Sequence, residues 1–218
     1  MNLAGGGIGP GAAAELCALG EPLWPRIVAH PFVLATGAGT LPAEAFDRWI
    51  GADHAFVAGF RRFLAGLVAL APDEAARDIL AAAMVPLRHE LELFREQAAG
   101  RGVDLEAEPA PTTLGYTAFV QASLLDGYQV ALAVLYGAEK TYYDAWVAVR
   151  ARAADRSGYW PFIDNWSSAA FGGWVTDLAR LVDASAPGGA TGRMRTAFDR
   201  VLRFELRFWD AVHTGEKW

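Results

Sequence analysis

Three acidic residues occupy positions where the hydrophobic pattern of an amphipathic helix calls for an apolar side chain. Asp53, Glu139 and Glu205 each lie on the apolar stripe of a different long helical segment, with aromatic residues about one turn away. Taking an ionised carboxylate out of water is costly unless the group is paired or hydrogen-bonded. Three such acids on three segments therefore indicate either structural ion pairs or a shared polar pocket.

The stripes around these acids follow the three-to-four-residue spacing of one helix face. Around Asp53 the stripe consists of Phe46, Trp49, Ile50, Phe56, Val57 and Phe60. Around Glu139 it consists of Leu132, Leu135, Tyr136, Tyr142, Tyr143, Trp146 and Val149. Around Glu205 it consists of Met194, Phe198, Val201, Leu202, Phe208, Trp209 and Val212. Glu90 is a candidate fourth inward acid in the segment VPLRHELELF, where Leu91 fits the stripe equally well.

Two interpretations of the inward acids remain open. In the structural one, each acid pairs with a cation such as Arg61, Arg62, Lys140 or Arg207. In the functional one, the acids converge on a pocket inside a helical bundle. Aromatic side chains there would stack on a small, flat, nitrogen-rich ligand. Carboxylates would accept hydrogen bonds from its N–H groups, and one acid with a raised pKa would transfer protons.

Other catalytic patterns find little support in the sequence. The Glu-x-x-His spacing of di-metal bundles precedes none of the four His residues. The similar spacing of Asp210 and His213 lies near the C-terminus, where a solvated last turn is expected. Haem ligation by a lone His such as His30 has no positive support, and no nucleophile elbow, P-loop or dinucleotide fingerprint occurs. We therefore expect neither a metal nor a cofactor.

The composition fits a globular domain with a substantial core, because 53% of the 218 residues are apolar and eight are Trp. The formal net charge of −6 disfavours a nucleic-acid partner. No apolar run reaches the roughly 18 residues of a membrane span, and the N-terminus has no signal-peptide pattern. The single cysteine, Cys17, cannot form an internal disulfide. These features predict a cytoplasmic protein without membrane contact.

Helical periodicity recurs along the chain, whereas the alternation typical of strands is nearly absent. We predict one all-α domain of seven or eight helices. A glycine-rich leader and a short helix would cover residues 1–20, and the helical domain residues 21–218. A turn is expected at residues 37–40, after a packing corner at His30. The predicted helices cover residues 11–19, 21–29, 42–70, 72–100, 113–125, 128–154, 160–181 and 193–214.

Four blocks of sequence carry a resemblance to a known family. They are HPFVLATGAGTLPAEAFDRWIGADHAF, TTLGYTAF, LYGAEKTYYDAW and RFELRFW, of which the first is the most specific. From residue 22 to residue 209 the chain resembles the TenA (thiaminase-II-like) family, which has the haem-oxygenase-like helical fold. The resemblance implies an enzyme that acts on the aminopyrimidine part of thiamin or of its breakdown products.

The resemblance also implies roles for individual residues. Asp53 matches the family Asp that hydrogen-bonds the aminopyrimidine ring, and Glu205 matches the Glu that binds the ring from the opposite helix and helps to move protons. Tyr116 and Tyr143 match pocket tyrosines. Glu139 stands one turn before Tyr143, where the commoner branch has its catalytic Cys. The chain therefore resembles the branch in which a Glu serves instead.

Two positions depart from the family pattern. Phe56 and Phe171 stand where the family often has Tyr, so that each keeps a stacking face and lacks a hydroxyl group. This difference bears on which substituents the substrate carries, and it weakens the expectation that intact thiamin is cleaved.

By resemblance, we expect a thiamin-salvage hydrolase that releases ammonia from 4-amino-5-aminomethyl-2-methylpyrimidine or a formylated relative. Glu139 would act as general base on a water that attacks the amino-bearing ring carbon, and would return the proton to the departing ammonia. No cofactor is implied, and the family implies a homo-oligomer, either dimer or tetramer. Two alternatives stay open: an enzyme of the same fold with another substrate, and a non-catalytic protein that binds or senses a pyrimidine.

Overall fold

The described residues of this computed structural model, 11–153 and 158–218, form a bundle of α-helices. The all-α prediction is confirmed over these ranges, and the leader predicted at residues 1–10 lies outside them. None of the helices in these ranges is long and apolar enough to cross a bilayer. The helices are α1 (Ala12–Gly20), α2 (Trp24–Val28), α3 (Pro31–Gly37), α4 (Ala43–Leu70), α5 (Glu74–Ala82), α6 (Met84–Arg101), α7 (Pro111–Ala122), a 3₁₀ turn (Ser123–Asp126), α8 (Tyr128–Arg150), α9 (Trp160–Trp166), α10 (Ala169–Ser185) and α11 (Gly192–Thr214).

Helix α8 lies at the centre of the bundle. Every residue from 130 to 139 is buried, as expected for a helix that is apolar on all sides and surrounded by others. Helices α2, α3, α9, α10 and α11 pack around it. Glu139 is the last residue of this buried stretch, so its carboxyl group is held in the interior by the packing of the whole helix.

Helices α4 and α11 carry the other two inward acids. Helix α4 packs against α5, α6, α7 and α11, and α11 also packs along α8. Asp53 and Glu205 are each 3% exposed, in line with the apolar stripes on which they lie. Trp49, one turn before Asp53, is fully buried in an aromatic cluster, with ring centroids 4.8 Å from Phe162 and 5.3 Å from Trp146. This rigid cluster fixes the orientation of α4 relative to α8 and α9.

Helix α1 joins the same core. Its residues Ala12, Ala13 and Leu16 are buried, and the helix packs against α10 and α11. The Ala13 backbone N–H donates to the Asp183 carboxylate at 2.8 Å, which fixes the first turn of α1 to α10.

One predicted helix, over residues 72–100, is wrong because the chain divides at Ala83 into α5 and α6. Pro86 lies in the first turn of α6, where its missing N–H needs no partner. In a continuous helix the Pro86 ring would clash with the carbonyl group four residues earlier. The break therefore has a sequence signal that the apolar periodicity conceals.

A second predicted helix, over residues 160–181, divides into α9 and α10. Ser168 caps α10, because its hydroxyl accepts a hydrogen bond from the Phe171 N–H at 3.1 Å. The corner at His30 is the start of α3, and the His30 Nδ1 atom accepts from the Phe32 N–H at 3.1 Å. The described ranges thus contain eleven α-helices rather than seven or eight.

Candidate active site

An inner cavity collects side chains from six helices of the bundle: α4, α6, α7, α8, α9 and α11. It contains about 470 Å³ of space that protein atoms do not fill, part of it open to solvent. The three acids predicted to share a pocket all line it. The lining residues are Asp53, Phe56, Val57, Phe60, Leu87, Glu90, Tyr116, Ala138, Glu139, Tyr142, Trp166, Glu205 and Phe208.

Asp53 is held at the cavity wall by a chain of two hydrogen bonds. The Tyr142 hydroxyl donates to Asp53 Oδ2 at 2.5 Å, and the Trp49 indole N–H donates to the Tyr142 oxygen at 3.3 Å. Burial raises the pKa of Asp53 to about 7, and the Tyr142 hydrogen bond acts in the opposite direction. Near neutral pH this carboxyl group can therefore either accept a hydrogen bond as an anion or donate one as an acid.

Glu205 faces the same cavity from α11. The Tyr116 hydroxyl donates to Glu205 Oε1 at 2.6 Å, whereas Oε2 is buried without a partner among the described residues. Burial raises the pKa of Glu205 to about 8, the Tyr116 hydrogen bond opposes this shift, and the charges of Asp53 and Glu139 add to it. The free oxygen is a buried polar atom that a ligand N–H group would satisfy.

Glu139 lies between the inner cavity and a larger outer cavity, which contains about 1210 Å³ of unfilled space, part of it open to solvent. Burial raises the pKa of Glu139 to about 7; the Trp174 indole N–H opposes this shift, and the Asp53 charge adds to it. A buried carboxyl group with a pKa near neutrality is suited to accept and return protons.

The outer cavity is a vestibule for the inner one, since Leu87, Glu90 and Glu139 line both. Helices α5, α6, α8, α9 and α10 contribute its walls. Phe171, one of the predicted binding residues, lines the outer cavity rather than the inner one. Tyr143 lines neither cavity: its ring packs against Phe171 with centroids 6.1 Å apart.

Ion pairing does not account for the buried acids. No ion pair within residues 11–153 and 158–218 includes Asp53, Glu90, Glu139 or Glu205. Lys140, a suggested partner, pairs with Asp144 instead. Nor do these ranges contain a group of three or more His, Cys, Asp or Glu side chains that could hold a metal ion.

Aromatic side chains supply the remaining inner walls. The Phe56 and Tyr116 rings lie 4.5 Å apart between centroids, and Phe208 lies 6.3 Å from Phe56. On the opposite side, Trp166 meets Tyr142 edge to face at 5.4 Å. The cavity therefore combines flat apolar walls with four buried carboxyl groups, an arrangement that suits a small heteroaromatic ring bearing N–H groups.

Sequence reasoning missed several residues of this site. Tyr142 rather than Tyr143 reaches the inner cavity, although both fit the stripe of α8 at three and four residues after Glu139. Glu90 and Leu91 are both buried, at 6% and 3% exposure, and Glu90 lines both cavities. Trp166 and Phe208 also went unassigned. Their positions depend on how the helices are rotated against each other, which the spacing alone does not specify.

Known proteins resemble this chain over most of its length. The TENA/THI-4/PQQC family matches residues 20–215. The aminopyrimidine aminohydrolase of Halalkalibacterium halodurans is 27% identical over 94% of this chain and 97% of that protein. The thiamine biosynthesis multifunctional protein ThiED of Corynebacterium efficiens is 30% identical over 96% of this chain and 29% of that protein.

A solved structure of a TenA homologue from Pyrococcus furiosus superimposes with a TM-score of 0.88 and 32% identity, covering 92% of this chain and 98% of that one. This likeness confirms the haem-oxygenase-like, all-helical fold. The matched range covers nearly the whole chain, including the positions of the three inward acids. The chain therefore belongs to the TENA/THI-4/PQQC family.

Proposed function

We propose that this protein hydrolyses 4-amino-5-aminomethyl-2-methylpyrimidine, a product of thiamin breakdown, to the hydroxymethyl pyrimidine and ammonia. The single observation that carries the proposal is the cavity that Asp53, Glu139 and Glu205 line together. Hydrolase activity is supported by relatives from Halalkalibacterium halodurans, Bacillus subtilis and Helicobacter pylori, each named aminopyrimidine aminohydrolase.

The pyrimidine ring would lie in the inner cavity between its aromatic walls. Asp53 and Glu205 would hydrogen-bond the ring nitrogen atoms and the ring amino group. A protonated carboxyl group would donate to a ring nitrogen atom, and an ionised one would accept from the amino group. The unpartnered Oε2 atom of Glu205 supports this role, because a ligand N–H would satisfy it. Tyr116 and Tyr142 would hold the two carboxyl groups in place through the hydrogen bonds they already donate. Phe56 would contribute a stacking face without a polar contact.

Glu139 would handle water and protons at the reacting carbon. The net change breaks the bond between the exocyclic methylene carbon and the amine nitrogen, and forms a bond from that carbon to a water oxygen. The attack therefore belongs on the exocyclic methylene carbon rather than on the ring carbon expected from the sequence. The amine is largely protonated at neutral pH and leaves as ammonia with the electrons of the broken bond, while the Glu139 carboxylate takes one proton from the attacking water, so atoms and charge balance.

A carboxylate rather than a thiolate would serve in this site. Cys17 lies on α1, where its Sγ atom is 3.2 Å from the Tyr136 hydroxyl, and it lines neither cavity. Glu139 is the ionisable group at the junction of the cavities on α8, which supports membership of the branch with Glu in place of Cys. Phe171 and, behind it, Tyr143 would form the outer wall beside the reacting group.

Turnover of the pyrimidine tests the proposal directly. Purified protein is incubated with 4-amino-5-aminomethyl-2-methylpyrimidine, and formation of the hydroxymethyl product and of ammonia is followed by chromatography and an ammonia assay. We expect both products in equal amounts, and we expect their loss in Glu139→Gln. Tight binding of the pyrimidine without any product would instead indicate a binding or sensing protein.

The proposal extends to a cytoplasmic location and to self-association as a dimer or tetramer. Leu125, in the 3₁₀ turn before α8, is 91% exposed, and a second subunit would shield it. Light scattering of the purified protein checks the assembly, since a monomer at micromolar concentration would contradict this part.

A further inference from the structure

Glu90 is a buried acid for which the family resemblance supplied no role. It lies on α6 beside Leu91 and is 6% exposed. The Asn165 side-chain N–H donates to Glu90 Oε1 at 3.2 Å, which anchors the carboxyl group from the outer cavity. Together with Glu139 and Leu87, it forms the boundary between the two cavities. A group that projects from a ring in the inner cavity towards the outer cavity must pass these residues.

The ionisable side chains that line the two cavities are all acidic. In the described part of the chain, six carboxyl-bearing residues line the two cavities, and no Lys, Arg or His does so. Burial raises the pKa of Glu90 to about 8, and the charge of Glu139 adds to this shift. Glu90 and Glu139 both line both cavities, so the two acids face the same passage between them. A cationic ligand between them would supply the positive charge that the walls lack.

We propose that Glu90 is a specificity-determining residue that, together with Glu139, binds the protonated amine on the side chain of the substrate. The inference rests on the proposed hydrolase function, in which an aminomethyl group extends from the ring. Primary amines of this kind are largely protonated at neutral pH. Glu90 would accept a charge-assisted hydrogen bond from the ammonium group while Asn165 holds its other side.

The size of the outer cavity supports this assignment. With about 1210 Å³ of unfilled space, it does not confine the substituent by shape, so shape alone would not distinguish an amine from a neutral group of similar size. A carboxylate at the entrance distinguishes them by charge. Glu90 would therefore select the amine, whereas Asp53 and Glu205 recognise the ring that all such ligands share.

Two inert ligands test the assignment. 4-Amino-5-(2-aminoethyl)-2-methylpyrimidine carries an ammonium group one carbon further out, where it is not a leaving group, and 4-amino-5-ethyl-2-methylpyrimidine is its neutral counterpart. Dissociation constants are measured by calorimetry at pH 7 for the wild-type protein, for Glu90→Gln and for the control Asp78→Asn. The control removes the same charge from an exposed residue of the outer cavity wall.

We expect the wild-type protein and Asp78→Asn to bind the amine at least about tenfold more tightly than the ethyl compound. Glu90→Gln should lose most of this preference and bind the ethyl compound within about twofold of wild type. An unchanged preference in Glu90→Gln, or an equal loss for both ligands, would overturn the assignment. Equal affinity of the wild-type protein for the two ligands would also overturn the assignment, and this result requires no variant.

Turnover separates this inference from the proposed function. If the wild-type protein forms the hydroxymethyl product and Glu90→Gln keeps the preference for the amine, only the role of Glu90 is overturned. A protein that shows the Glu90-dependent preference without turnover supports amine recognition and overturns the hydrolase assignment.

Discussion

Replacing Glu205 by Gln is expected to stabilise the ligand-free protein at alkaline pH and to weaken pyrimidine binding. Burial raises the pKa of Glu205 to about 8 from its ordinary value of 4.5. A carboxyl group with a raised folded-state pKa contributes stability that is fully present below pH 4.5 and is lost as the pH rises to about 8. Gln has a similar shape and does not ionise, so the variant escapes this loss.

The size of the effect follows from the displacement of the pKa. A difference of one in pKa corresponds to ~1.4 kcal/mol, so a pKa change from 4.5 to about 8 corresponds to at most ~5 kcal/mol above pH 8. Between pH 5 and pH 8.5 the change is at most ~4 kcal/mol. Structural relaxation around the ionised carboxylate reduces this change, and we expect at least ~1 kcal/mol. For a chain of this length, the difference in melting temperature between the variant and the wild type should grow by at least ~2–4 °C as the pH rises from 5 to 8.5.

Thermal unfolding of the wild type and Glu205→Gln at several pH values measures this gain. The matched control is Glu92→Gln, because Glu92 is an exposed acid on α6, and its melting curve should follow that of the wild type at every pH. Calorimetry with the ethyl pyrimidine should show weaker binding to Glu205→Gln. Melting temperatures that run parallel for all three proteins from pH 5 to pH 8.5 would refute the reasoning that Glu205 is a buried acid with a raised pKa.

Tyr142→Phe removes the donor to Asp53 and the acceptor of the Trp49 indole N–H. We therefore expect urea unfolding to show a free energy of unfolding that is lower by about 1–3 kcal/mol. Tyr143→Phe, outside both cavities, should cost under about 0.5 kcal/mol, and equal losses would contradict the assignment of Tyr142. Glu139→Gln should lower kcat by at least ~100-fold without changing the circular dichroism spectrum, and retained turnover would remove its catalytic role. Because Glu139 must ionise to act as a base and its pKa is about 7, kcat/KM of the wild type should rise with pH through about 7; a flat profile from pH ~6 to ~8 would argue against this.

The long helices were predictable because their hydrophobic spacing persists over many turns. Helices α4, α8 and α11 lie within a few residues of their predicted ranges. The boundary between α5 and α6 was missed because Ala82, Ala83 and Met84 offer no turn residue, and only Pro86 signals the break. Helix α3 was missed because seven residues are too few for a periodic pattern to stand out.

The candidate site was predictable in its acids but not in all its neighbours. Asp53, Glu139 and Glu205 stood out because a carboxylate on an apolar stripe is costly and therefore informative. Tyr142 and Tyr143 are adjacent, as are Glu90 and Leu91, and each pair straddles the edge of a helix face. A rotation of the helix by a fraction of a turn decides which member reaches the cavity. That rotation is set by packing against other helices, which a single sequence does not display.

The acidic walls of the two cavities also bear on the form in which the proposed substrate would bind. A phosphate ester carries a charge of roughly −1.5 to −2 at neutral pH, and proteins usually hold such a group with Arg or Lys. On a pyrimidine in the inner cavity, a phosphoryl group on the ring substituent would face Glu90 and Glu139, and no basic side chain among the described residues lines either cavity. We therefore expect phosphorylated pyrimidines to bind more weakly than the free compounds.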